Sequence, residues 1–138
     1  MIEVWIDGLC EPVNPGGTAC IGYIIKQSWK TLAKGSEVIG TGEGMTNNVA
    51  EYTALIRALK EIRKLELEKE KVLVRSDSKL LVNQMNGNWK VKAPLVLPLY
   101  HKVKVLAAGI DLTIQWIPRE ENEEADGLAR NAYERALE

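Results

Sequence analysis

Residues 46 to 65 read TNNVAEYTALIRALKEIRKL. Leu55, Ala58, Leu59, Ile62 and Leu65 recur at the spacing of one helix face, so a helix with an apolar stripe is expected from Asn48 to about Leu65. Glu51 breaks the pattern. Adding four, seven and eleven to its position gives Leu55, Ala58 and Ile62, which places a carboxylate on the core-facing stripe. An acid aimed inward needs a partner. Asn48 and Glu51 also have the N-cap and N3 spacing of a capping box, which would use Glu51 locally instead.

Working outward from this helix, the preceding residues read as strands. Ile2 to Asp7 is a short apolar strand ending at an Asp-Gly turn, and Asn14-Pro15-Gly16-Gly17 is a second turn signal. Thr18 to Gln27 and Thr31 to Gly42 follow as strands, with a hairpin near Ser28-Trp29. Such short connections make the first three strands antiparallel neighbours. Beyond the helix, Lys71 to Ser76 is a buried strand, and Ser78 to Asn86 is a short helix stopped at Gly87. Val96 to Ala108 is a helix preceded by Pro94 and ended by Gly109. Asp111 to Ile117 is a strand, and Asn122 begins a last helix. The order βββαβααβα implies an α/β domain over residues 1–138, with a mixed sheet flanked by helices.

The chain has 138 residues, 46% hydrophobic and 27% charged, as expected of a soluble globular domain. No apolar run approaches the roughly 20 residues of a membrane helix, so no membrane partner is expected. Met1 to Trp5 lacks the basic start and apolar core of a signal peptide, which leads to an expectation of a cytoplasmic protein. Cys10 and Cys20 are the only cysteines and do not make a disulfide framework. His101 is the only histidine, so a Ser-His-Asp or Cys-His arrangement has no support. Net charge is −1, with a pI near 6.0. That balance does not advertise nucleic-acid binding, and any such binding must use local groups.

Four acids stand out by position. Asp7 and Asp77 leave the ends of apolar strands, where open α/β sheets place their ligand sites. Glu51 lies in the first turn of the first long helix. Asp126 lies early in the last helix and shares a face with Ala129 and Tyr133. Each also has a local explanation. Asp7-Gly8 would serve as a turn, Asp77 as a helix cap, and Asp126 as a complement to a helix dipole. If the first and fourth strands are neighbours, Asp7 and Asp77 are adjacent. Converging carboxylates repel, and divalent cations are the natural remedy; an all-oxygen set suits Mg²⁺ or Mn²⁺. Two such ions about 4 Å apart support phosphodiester hydrolysis, one activating water and the other stabilising the departing 3′ oxygen. That chemistry needs no protein nucleophile.

The motifs around these acids resemble the type 1 ribonuclease H family over nearly the whole chain. They are Asp7-Gly8, Asn14-Pro15-Gly16-Gly17, Gly22, and Thr46-Asn47-Asn48-Val49-Ala50-Glu51-Tyr52-Thr53-Ala54. Next come Ser76-Asp77-Ser78, Asn83-Gln84, Trp89-Lys90-Val91-Lys92, and Trp116-Ile117-Pro118-Arg119, followed by Asn122, Ala125-Asp126 and Leu128-Ala129. The pattern is most similar to archaeal and some bacterial members. The resemblance implies a five-stranded mixed sheet, with strands 1–3 antiparallel and strands 4 and 5 parallel to strand 1. It implies that Asp7, Glu51, Asp77 and Asp126 are metal-binding catalytic acids holding two Mg²⁺, or Mn²⁺. It implies a monomeric endonuclease that cuts the RNA of RNA–DNA hybrids, leaving 5′-phosphate and 3′-hydroxyl ends. Gly8, Cys10, Asn14, Asn47, Asn48 and Gln84 match positions that face the hybrid. The minor groove of an A-like duplex is shallow and displays 2′-hydroxyls, which amides read without reading sequence. Turn and cap duty is the alternative for these asparagines.

The chain departs from the family at several points. Leu9 replaces a common serine, and Glu11-Pro12-Val13 is unusual. The loop Pro118-Arg119-Glu120-Glu121 lacks the histidine of many bacterial relatives. Arg119 is either its substitute or a surface charge. The basic extra helix of some bacterial enzymes has no room between Gly87 and Val96. Trp89, Lys90 and Lys92 are candidates for a reduced version, against core packing for Trp89 and a solvated loop for the lysines. No separate hybrid-binding domain precedes the catalytic one, so weak, salt-sensitive binding is expected. Other A-like duplexes such as double-stranded RNA remain open as substrates. A binding module without activity would need one acid replaced, and a structural calcium site would need EF-hand spacing; neither is present.

Overall fold

The computed structural model describes residues 1–138. The core is built on one five-stranded sheet: β1 (Ile2–Glu11), β2 (Thr18–Gln27), β3 (Lys30–Thr41), β4 (Lys71–Ser76) and β5 (Asp111–Trp116). The spatial order is β3-β2-β1-β4-β5. β1 pairs antiparallel with β2, and β2 with β3. β4 pairs parallel with β1, and β5 with β4. The mixed sheet expected from the strand and helix order is therefore present. The helices are α1 (Asn47–Lys64), α2 (Lys79–Met85), α3 (Leu97–Ala107) and α4 (Glu123–Ala136), with one 3-10 turn at Arg119–Glu121.

Strand alternation divides β1 between two layers. Ile2, Val4 and Ile6 join Leu55, Leu59 and Ile62 of α1 in the main core. Leu9 points the other way and packs with Cys20 beneath Ala129 and Ala132 of α4. Two glycines set the distances between layers. A Cβ on Gly8 would stand 2.5 Å from backbone atoms of Ala50 and Glu51, and one on Gly22 would collide with the Ala125 carbonyl. Gly8 therefore lets α1 approach the sheet, and Gly22, paired with Asp7, lets α4 do so.

Three local expectations are corrected. β1 does not end at Asp7: it continues to Glu11, and Asp7-Gly8 pairs with Gly22 and Ile21 rather than turning. The β1–β4 ladder, by contrast, stops at Trp5↔Arg75, so β1 runs on while β4 departs. α1 starts one residue earlier than expected and is capped by Thr46, whose hydroxyl accepts from the Val49 N–H at 3.0 Å. Asn48 is thus not the cap, and Glu51 is free of capping duty. Ser78, not Asp77, caps α2, accepting from the Leu81 N–H at 3.1 Å.

Candidate active site

The four acids come from four elements. Asp7 lies within β1, just past the point where β4 separates from it. Asp77 follows the last residue of β4. Glu51 is on the first turns of α1, and Asp126 is in the first turn of α4. Oxygens of Asp7, Glu51 and Asp77 lie within 4.8 Å of one another. Asp126 lines the same cleft from the other layer and brings a further negative charge beside Asp7.

The Gly8 N–H donates to Glu51 Oε1 at 2.7 Å and to Asp7 Oδ1 at 3.0 Å. One amide thus holds two acids, which makes use of the close approach of α1. Glu51 Oε2 is buried without any hydrogen-bond partner. Burial drives the Glu51 carboxyl well above its usual value, reinforced by Asp7 and Asp77. Burial also lifts Asp7, to about 7; neighbouring Glu51 opposes that rise, and the charges of Asp77 and Asp126 add to it. Asp77 is raised by burial too, while the Arg119 guanidinium opposes that rise. Crowded carboxylates with one orphaned oxygen and no buried cation fit a divalent metal, which would replace the missing positive charge.

These acids stand in a cleft of about 400 Å³. Gly8, Cys10, Asn14, Asn47, Asn48 and Arg119 line it with them. Asn14 and Asn47 bond reciprocally, the Asn14 amide donating to Asn47 Oδ1 at 2.9 Å and the Asn47 N–H to Asn14 Oδ1 at 3.0 Å. Cys10 is nearly buried, its Sγ 3.3 Å from the Val13 carbonyl. Cys10 and Cys20 point to opposite faces of the sheet, Cys20 lying beneath α4.

Gln84, Trp89, Lys90 and Lys92 lie outside the cleft. Gln84 is turned inward and only 5% exposed. Its oxygen accepts from the buried Tyr52 hydroxyl at 2.7 Å, and its amide donates to the Lys90 carbonyl at 3.2 Å. A buried phenol needs such a partner, and Gln84 supplies it. Trp89 is 49% exposed, so core packing does not account for it. Lys90 and Lys92 are exposed on the same loop.

One cleft residue escaped the sequence reading. Arg130 of α4 lines the site and grips Glu11 through both terminal nitrogens at 3.0 and 3.1 Å. The available signal was its spacing, four residues after Asp126 on one helix face. Buried Asn122 was quoted only as a motif residue. It ties α4 to β1, its amide donating to the Ile6 carbonyl at 2.9 Å.

A mixed sheet in this order, with carboxylates converging where β1 and β4 part, defines a fold of the ribonuclease H type. Residues 7–132 match the family model described as reverse transcriptase-like. The chain is 38% identical to LC11-RNase H1, solved in complex with an RNA/DNA hybrid, with a TM-score of 0.91 and 100% of both chains covered. RNase H1 from Halobacterium salinarum superposes with a TM-score of 0.85 at 30% identity, covering 97% of this chain and 98% of that one. The bifunctional protein Rv2228c of Mycobacterium tuberculosis is 39% identical over 91% of this chain, which spans 33% of that relative's length. The ribonuclease HI of Halobacterium salinarum is 32% identical over 98% of this chain and 65% of its own. The chain belongs to the type 1 ribonuclease H family.

Proposed function

We propose that this chain is an endonuclease that hydrolyses the RNA strand of RNA–DNA hybrids, giving 5′-phosphate and 3′-hydroxyl ends. The observation that carries the proposal is the convergence of Asp7, Glu51 and Asp77 within 4.8 Å, with Glu51 Oε2 left without a partner. Similarity to a relative solved with an RNA/DNA hybrid supports the choice of substrate.

Asp7, Glu51, Asp77 and Asp126 would hold two Mg²⁺, or Mn²⁺, and keep their carboxylates ionised against burial. When bound, such ions lower the pKa of water and neutralise charge on a departing oxygen. Water oxygen bonds to phosphorus, the P–O3′ bond breaks, and a proton from solvent completes the 3′-hydroxyl. The linked amides of Asn14 and Asn47, with Asn48, present donors and acceptors suited to 2′-hydroxyls. The Gly8 backbone and Cys10 wall the same cleft. Arg119 sits opposite Asp77 as a cation for the reacting phosphate or the leaving product. Gln84 faces inward and braces Tyr52 of α1 rather than lining the cleft. Trp89, Lys90 and Lys92 offer an aromatic face and two cations to the DNA strand outside the cleft.

Cleavage of matched hybrid, double-stranded RNA and double-stranded DNA with Mg²⁺ tests the proposal, comparing wild type with Asp7→Asn. Wild type is expected to cut the hybrid, and Asp7→Asn to lose most of that activity. An intact hybrid, or equal cutting by Asp7→Asn, overturns it. Cutting of double-stranded RNA as well would widen the substrate to A-like duplexes.

A further inference from the structure

Two cations line the cleft, Arg119 and Arg130, and they are held differently. Arg119 forms no ion pair, whereas Arg130 commits both terminal nitrogens to Glu11, at 3.0 and 3.1 Å. Glu11 is not the partner that the helix itself offers. Asp126 precedes Arg130 by four residues in α4, the favourable order for an ion pair along one helix face. Of the four ion pairs in the structure, none joins Arg130 to Asp126. Asp126 is nonetheless within electrostatic reach. The hydrogen bond to Glu11 holds the guanidinium above its usual value, and the charges of Glu11, Asp126 and Asp7 add to that.

Both ends of the Glu11–Arg130 pair stand on fixed backbone. Glu11 is the last residue of β1 and pairs with Thr18 of β2. The loop after it returns so closely that a Cβ on Gly17 would stand 2.7 Å from the Glu11 carbonyl oxygen. On α4, Ala129 and Ala132 are buried against Leu9 and Cys20, which fixes the helix that carries Arg130. Only the long arginine side chain is left to choose between partners. Glu11 lines the cleft but stands outside the tight group of Asp7, Glu51 and Asp77. It also belongs to Glu11-Pro12-Val13, the stretch in which this chain departs from its family.

The choice of partner matters because a guanidinium keeps its charge at any working pH. Turned towards Asp126, it would occupy carboxylate oxygens that a divalent cation needs, and an incoming ion would have to break that pair first. We propose that Glu11 is a positioning residue that draws Arg130 away from Asp126 and Asp7, leaving those carboxylates open to divalent cations. The proposal rests on the metal-site reading above and adds a restraint on the chain's own competing cation.

The test is a calorimetric titration of Mn²⁺ into chelator-stripped wild type, Glu11→Gln, Arg130→Gln and the double variant. Salt of about 0.15 M screens the lost charge of Glu11 beyond roughly 8 Å. The Mn²⁺ Kd of Glu11→Gln is expected to rise about fivefold, the upper end of the strength of a partly exposed ion pair. Arg130→Gln and the double variant are expected to bind Mn²⁺ as wild type does, because neither has a guanidinium to release. An unchanged Kd in Glu11→Gln overturns the proposal. A gain in Arg130→Gln equal to the loss in Glu11→Gln, with the two summing in the double variant, marks a simple field of charge and also overturns it. A double variant that stays weak, with a lowered metal-free melt, marks the pair as a brace between β1 and α4 and overturns it too. A wild type that takes up no Mn²⁺ removes the metal-site reading itself, whereas equal uptake by all four proteins removes this proposal alone.

Discussion

Asp7→Asn, studied without divalent cations, tests the idea that the four acids burden the fold they belong to. Asp7 is 5% exposed, and its carboxyl is raised from 3.8 to about 7, chiefly by burial. A raised carboxyl binds its proton more tightly in the folded chain than in the unfolded one. Asp7's own contribution to stability is therefore fully present below pH 4 and is lost as the pH climbs through 7. At roughly 1.4 kcal/mol per pH unit, the rise amounts to about 4 kcal/mol at pH 8. Asparagine keeps the shape and removes the charge. A gain of about 2–4 kcal/mol at pH 8 is expected, or about 10 °C in Tm for a chain of this size. The gain should shrink towards zero at pH 4. Urea unfolding followed by circular dichroism, with a chelator at both pH values, reads this directly. Excess Mg²⁺ should then stabilise wild type more than the variant, by about 2.7 kcal/mol at a hundred times Kd. A gain of equal size at both pH values, or a loss at pH 8, would refute the reasoning.

Other perturbations probe the supports of the site. Gly8→Ala places a methyl group 2.5 Å from the Ala50 and Glu51 backbone, so a loss of about 3 kcal/mol and much of the activity is expected; an unchanged melt would mean that α1 does not lie so close. Tyr52→Phe leaves the buried Gln84 oxygen without its donor and should cost about 1–3 kcal/mol in chemical unfolding, with wild-type stability the contrary result. Arg119→Gln removes the cation that opposes the raised Asp77 carboxyl, so the acid limb of the pH–activity profile should move to higher pH; a limb that stays in place would separate Arg119 from Asp77.

Patterns set by neighbouring residues were readable in the sequence, whereas contacts between distant residues were not. Glu51 on the stripe of Leu55, Ala58 and Ile62 marked an inward acid, and the structure buries it. Asp7-Gly8 looked like a turn because its local propensity favours one. Pairing with Gly22 and Ile21 overrides that preference. Thr46, Asn47 and Asn48 all have cap-competent side chains, and which one caps depends on where α1 meets β1. The capping box failed because Glu51 finds its donor in Gly8, 43 residues earlier. Gln84 turns inward for Tyr52, a partner 32 residues away on another helix. Arg130 had only its spacing from Asp126 as a signal, because its partner Glu11 lies 119 residues away in sequence.

The contact between Gly8 and α1 has a consequence for how activity responds to heat. The spacing of Asp7 and Glu51 is set by one backbone amide where strand and helix backbones touch. Side-chain rotamers loosen gradually with temperature, but a backbone contact buried between layers opens only when those layers separate. Catalytic geometry should therefore persist up to the melting transition and vanish with it, so inactivation and unfolding should trace a single curve.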